Sequence, residues 1–188
     1  YNELANYLSG DRPIYGLQSR AINNSSHEHH SVEEMAIQYT KAIRQEQGQE
    51  PYYLMGWSMG GVLALSIAKQ LEQQSQKVAF VGLIDAFLIP ENLPTFKRDP
   101  FLEFASILGG GFVEALMNLA ESEQQVLRKS LVNLSSSDRL QKILTWGQTR
   151  NILSKNISFN LWQKQLTLTE IHQKLLSNHS PPKIQTKL

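Results

Sequence analysis

Cysteine is missing altogether from the 188 residues. Disulfides, thiolate metal centres and a cysteine nucleophile are therefore excluded within the chain, and a cytoplasmic location fits. Apolar runs of the roughly 18 residues that a membrane helix needs are missing too. No basic segment followed by an apolar one marks a secretory leader. Neither sign of charge is in excess, since 18 basic residues against 17 acidic ones leave a net charge of +1. That balance favours neither nucleic acid nor an anionic membrane as a partner. Repeats and low-complexity tracts are likewise lacking. What remains is a chain 41% hydrophobic and 19% charged, a globular balance with apolar mass for a core. It opens at Tyr1, inside a helical pattern and without methionine, and reads as a piece truncated at both ends.

The first half alternates strand and helix signals. Leu4, Tyr7 and Leu8 lie at helical spacing in "YNELANYL", and "PIYGLQ" (13–18) is a strand candidate whose proline sits at its first position. A polar loop, "NNSSHEHH" (23–30), precedes a helix that begins with the capping box Ser31–Glu34 and stops at Gly48 and Pro51. "YYLMGW" (52–57) is a buried strand. Leu63, Ile67 and Leu71 follow at intervals of four, so the period there has become helical. "VAFVGLID" (78–85) is the continuous apolar run expected of a parallel strand covered on both faces. This order argues an α/β fold with a largely parallel sheet.

From about residue 95 the texture becomes helical. Glycines 109–111 suggest a hinge or helix break. Helices are expected over 122–134 from a serine cap, over 138–146, and over 167–176. "PPKIQTKL" (181–188) resembles the start of another strand. The organisation expected is a partial sheet core over 1–94, a helical insertion over 95–178 and a further core strand from 179.

Between the second strand and its helix stands Gly56-Trp57-Ser58-Met59-Gly60, a G-x-S-x-G pattern followed by Gly61. A sharp strand-to-helix turn can hold a serine with its Oγ exposed, small flanking residues letting neighbouring backbone pass. The helix N-terminus brings unpaired N–H groups and a positive dipole end beside it, and the Met59 N–H would donate to an oxyanion. The same turn would equally suit a serine acting only as a helix N-cap. A serine nucleophile needs a base, and the base an orienting acid. Asp85 closes the next apolar strand, where a carboxylate is costly without a partner or a task, although an aspartate opening a turn is also common.

"RPIYGLQSRAI", "SVEEMAIQYTKAIR", "PYYLMGWSMGGVLALSIAKQL" and "VGLIDAF" occur in the order and spacing of the thioesterase domains that end nonribosomal peptide and polyketide synthases, and the chain resembles that family. The likeness is tight over the first half and loose over the second, which corresponds to the family's variable helical lid. It implies an α/β-hydrolase sheet with an inserted lid, Ser58 as nucleophile and Asp85 as triad acid. Trp57, before the serine, is more like the integrated chain-releasing domains than the stand-alone editing thioesterases. The implied reaction takes a peptide or polyketide chain from the 4′-phosphopantetheine thioester of a carrier domain, in the same polypeptide, onto Ser58. Water or an internal nucleophile then releases an acid or a ring. No bound cofactor or metal is implied.

The family's base is a histidine in a loop after the last strands, and no histidine here occupies that place. His27, His29 and His30 precede the serine strand in a loop that reads as solvated rather than as a metal site. His172 falls in a lid helix and His179 just before the final strand candidate. The base and the first oxyanion donor are both expected beyond this piece. Loss of a triad histidine costs about 10⁶-fold in turnover, and loss of one oxyanion donor about 10²–10³-fold. The 188 residues alone are therefore expected to be essentially inactive. A free-standing editing thioesterase or esterase, or a degenerate non-catalytic binding module, would show the same first half.

Overall fold

The computed structural model describes residues 2–8, 10, 13–19, 29–86, 107–108 and 110–186. In chain order the elements are α1 (Asn2–Leu8), α2 (Val32–Glu46), β1 (Tyr52–Trp57), α3 (Met59–Gln73), β2 (Val78–Ile84), α4 (Gly110–Met117), α5 (Glu121–Leu131), α6 (Ser136–Thr149) and α7 (Phe159–Ser177).

β1 and β2 pair in parallel, with Trp57 opposite Ile84 at their carboxyl ends. Parallel neighbours need a crossover, and α3 supplies it, apolar nearly all round and buried at ten of its fifteen positions. α2 packs beside it. Ser31 Oγ accepts the Glu34 N–H at 3.0 Å, while the Glu34 carboxylate accepts the N–H of His30, one residue ahead of the reciprocal partner expected. Ala36, Tyr52, Ile67, Leu71, Val78 and Val81 form the core where these helices meet one sheet face.

The other face carries exposed side chains among the described residues. Tyr53, Met55, Trp57, Phe80 and Ile84 are 41–52% exposed there, so the described residues cover β2 on one face and not on two. Among the described residues, only α3 makes extensive contact with the strands, and α2 packs on α3. Residues 13–18 form no strand; they run as exposed coil, with Ile14, Tyr15 and Leu17 about half exposed. An extended segment becomes a strand only when a neighbour takes its backbone groups, and among the described residues no strand pairs with it.

α4 to α7 build a second layer with its own core of Phe112, Leu116, Leu131, Leu140, Ile143 and Leu166. Of the glycine run, Gly109 lies outside the described residues; residue 108 is a turn, and Gly110 and Gly111 open α4. α5 starts at Glu121 with Ala120 as its cap, not at a serine cap, and ends at Leu131 before Asn133 turns to φ 63°. α6 is capped by Ser135, whose Oγ accepts the Asp138 N–H, and is longer than its apolar stripe indicated. α7 also extends well ahead of the expected start. Its first half lies in the helical core, while Ile171 and Leu175 pack on Val32, Met35, Met59 and Val62. The proposed boundary near residue 95 lies outside the described residues.

Residues 181–186 form no strand; 181–184 are coil and 185–186 bend. The reason is a contact with α3. The Glu72 carboxylate accepts both the Gln185 and Thr186 N–H groups at 2.9–3.0 Å, drawing the backbone onto α3. Thr186 Oγ1 lies 3.1 Å from the Val78 carbonyl, and Ile184 packs into the sheet core.

Candidate active site

Ser58 stands between the last residue of β1 and the first of α3 at φ 53°, ψ −121°. A left-handed φ is costly for a side chain with a Cβ, about 1–3 kcal/mol, and persists where the surroundings impose it. The helix-cap alternative finds no support, because the Ser58 side chain makes no capping hydrogen bond. The main chain is held instead: the Ser58 carbonyl accepts the Gly61 N–H at 3.0 Å, and the Ser58 N–H donates to the Ile84 carbonyl at 2.8 Å.

The flanking glycines are not equivalent. A Cβ on Gly56 would fall 2.0 Å from the Gly60 carbonyl oxygen, and one on Gly61 would fall 2.6 Å from Ala86 Cβ. A Cβ on Gly60 would meet nothing within 4 Å, so that position is not closed by crowding of its own. Gly60 contributes a backbone passing close to Gly56.

Asp85 follows Ile84 directly, as Ser58 follows Trp57, so the two residues leave adjacent parallel strands at one edge of the sheet. This carboxyl edge is where open α/β sheets bind ligands. Asp85 too has a left-handed backbone, at φ 49°. It is exposed, so the cost of burying a carboxylate does not arise for it. The Met59 side chain is buried among Met35, Val62 and Leu175, which pins the first turn of α3 and with it the Met59 N–H.

The histidines fall elsewhere. His27 lies outside the described residues. His30 is exposed, whereas His29 is 8% exposed and sits edge-on to Tyr39, so that end of the loop is not solvated. Among the described residues, neither His172 nor His179 is bonded to Ser58 or Asp85. His179 Nδ1 lies 2.6 Å from Glu33 Oε1, and among the described residues the Nε2 atoms of His172 and His179 are buried without a partner. Burial, reinforced by the neighbouring charge of His29, pushes the His172 imidazole below its ordinary value. Burial alone would raise the Glu33 carboxyl. Hydrogen bonds from its own backbone, His179 and Ser31, with the His179 charge, outweigh that and hold it below the usual range. No three His, Cys, Asp or Glu side chains are arranged to hold a metal ion among the described residues. A groove of about 510 Å³ between α5 and α6 is lined by Val126, Leu127, Lys142, Trp146 and Arg150, and by no residue of the sheet edge.

Sequence reasoning passed over Ala86, the residue set against Gly61. Its only signal was a small side chain directly after the aspartate.

A parallel α/β layer with a strained serine at its carboxyl edge is the class of protein defined here. Residues 1–143 match the family model described as "Thioesterase domain", and the chain belongs to that family. Its sequence is 40% identical to malpinin synthetase of Mortierella alpina over 145 residues, 75% of this chain. It is 34% identical to the dimodular nonribosomal peptide synthase of Bacillus subtilis over 73% of this chain. The matched region spans only 2% and 6% of those relatives. A four-domain nonribosomal peptide synthetase bound to AMP and glycine superposes with TM-score 0.63 at 25% identity, covering 89% of this chain and 12% of that one. The NocB thioesterase domain in covalent complex with a fluorophosphonate nocardicin G analog gives TM-score 0.58 at 21% identity, covering all of this chain and 63% of that one, a likeness of fold. Among the described residues no helix is long and apolar enough to cross a membrane.

Proposed function

We propose that the chain is the acyl-releasing thioesterase domain of a cytoplasmic assembly-line synthetase, with an α/β-hydrolase core and α4–α7 as its lid. Ser58 is the nucleophile, Asp85 the acid that orients the base, and the Met59 N–H one oxyanion donor. One observation carries this reading: Ser58 is held at φ 53° without a capping bond, its N–H bonded to the strand that ends in Asp85. Strain at a polar residue, on the edge where α/β sheets bind ligands, is a feature of catalytic turns.

A carrier domain of the same polypeptide presents a peptide or polyketide acyl group as a phosphopantetheine thioester. Ser58 Oγ attacks the thioester carbonyl as its proton passes to the base, and the tetrahedral oxyanion draws on the Met59 N–H. The thiol leaves with a proton from the base, giving an acyl-Ser58 ester. Water or a nucleophile within the acyl chain then opens the ester to an acid or a ring. The relatives are long synthetases of which the matched region is a small part, which supports an integrated domain over a free-standing one. The base is the family's histidine, which no described histidine supplies: neither His172 nor His179 is bonded to Ser58 or Asp85. The 188 residues alone would turn over substrate negligibly.

A fluorophosphonate probe on the full-length polypeptide tests this. Labelling at Ser58, abolished in Ser58→Ala and slowed in Asp85→Asn, is expected. A full-length protein that leaves Ser58 unlabelled, while folded, would refute the catalytic reading.

A further inference from the structure

The turn carrying Ser58 and the turn carrying Asp85 touch at two points. One is the hydrogen bond from the Ser58 N–H to the Ile84 carbonyl at 2.8 Å. The other joins Gly61, in the first turn of α3, to Ala86. A Cβ built on Gly61 would lie 2.6 Å from Ala86 Cβ and 3.1 Å from the Gly56 carbonyl oxygen, whereas ordinary contact begins at 3.4 Å. The α-carbon of Gly61 and the methyl of Ala86 therefore fit together only because one of them has no side chain. Ala86 adjoins Asp85, whose backbone is already left-handed at φ 49°. A push on Ala86 is thus delivered through one peptide bond to the backbone of Asp85.

We infer that Gly61 and Ala86 are positioning residues whose contact sets the distance and direction of Asp85 from Ser58. This rests on the reading of Ser58 and Asp85 given above. Neither residue touches substrate. Their effect passes through the backbone to the carboxylate, and so to the base that the carboxylate orients. Catalytic geometry tolerates about half an ångström, and a misplacement of about 1 Å can cost on the order of 10²-fold in rate. Moving two carbons from 2.6 Å to ordinary contact requires a displacement of that size.

The contact is reciprocal, which makes it testable by exchange. In the full-length polypeptide, Gly61→Ala should lower the saturating rate of fluorophosphonate labelling at Ser58 by about 10–100-fold. The half-saturating probe concentration should change little. Gly61→Ala with Ala86→Gly should recover most of the lost rate. Should Gly61→Ala fail to fold, Ala86→Ser and Ala86→Val provide the graded series, slower as the side chain grows. Wild-type labelling by Gly61→Ala, no recovery in the exchange, or no grading at position 86 would overturn the inference while leaving Ser58 as the nucleophile. Labelling that survives Ser58→Ala would instead overturn the functional reading beneath it.

Discussion

Gly56 and Gly60 look interchangeable in the motif, yet only Gly56 is sterically closed. An added Cβ at Gly56 strikes the Gly60 carbonyl at 2.0 Å, whereas the same atom at Gly60 has open space. Gly56→Ala should therefore cost about 3 kcal/mol or more, as overpacking against backbone does. Gly60→Ala should stay within about 1 kcal/mol of the parent, since alanine also favours the first turn of α3. Chemical denaturation of the two variants checks the difference. The residue types at 56, 58, 60 and 61 were legible because a tight strand-to-helix turn demands small neighbours. Which glycine is indispensable was not, because that depends on where α3 crosses β1.

Among the elements, α7 joins the two layers, and its exit is held by polar groups. His179 pairs with Glu33 at the start of α2, while His172, one turn before Leu176, is buried with its Nε2 unpartnered among the described residues. The folded state disfavours protonated His172, which makes stability depend on pH in a definite direction. Above the ordinary imidazole value, about 6.5, the residue is neutral folded or unfolded and contributes nothing. As pH falls below that value the unfolded chain takes up a proton that the folded chain resists, so stability declines until the lowered folded value is passed. Denaturant titrations between about pH 7 and pH 5 should show this decline, and it should be smaller in His172→Leu. Helix α7 was recognised by its apolar spacing, but its start and its dual packing were not, because the stripe of Leu168, Ile171 and Leu175 says nothing of which neighbour each residue meets.

Across the whole molecule, Leu175 is the buried residue of α7 that enters the cluster shared by α2 and α3, while Leu166 belongs to the helical core. Leu175→Ala should cost about 2–5 kcal/mol, like other buried leucines. Because the residue ties the layers together, hydrogen exchange should rise at the start of α3 as well as in α7. Protection confined to its former level in α3 would show that the layers unfold independently. The strand order β1, α3, β2 and the placing of Ser58 and Asp85 at two strand ends were determined by the sequence itself, through period changes that residues adjacent in the chain report directly. Tertiary structure alone decided that 13–18 and 181–186 form no strand, that the described residues leave one sheet face bare, and that Ala86 abuts Gly61. Each of those outcomes depends on a neighbour distant in the chain, and side-chain periodicity carries no information about which distant backbone will supply hydrogen bonds or occupy a given space.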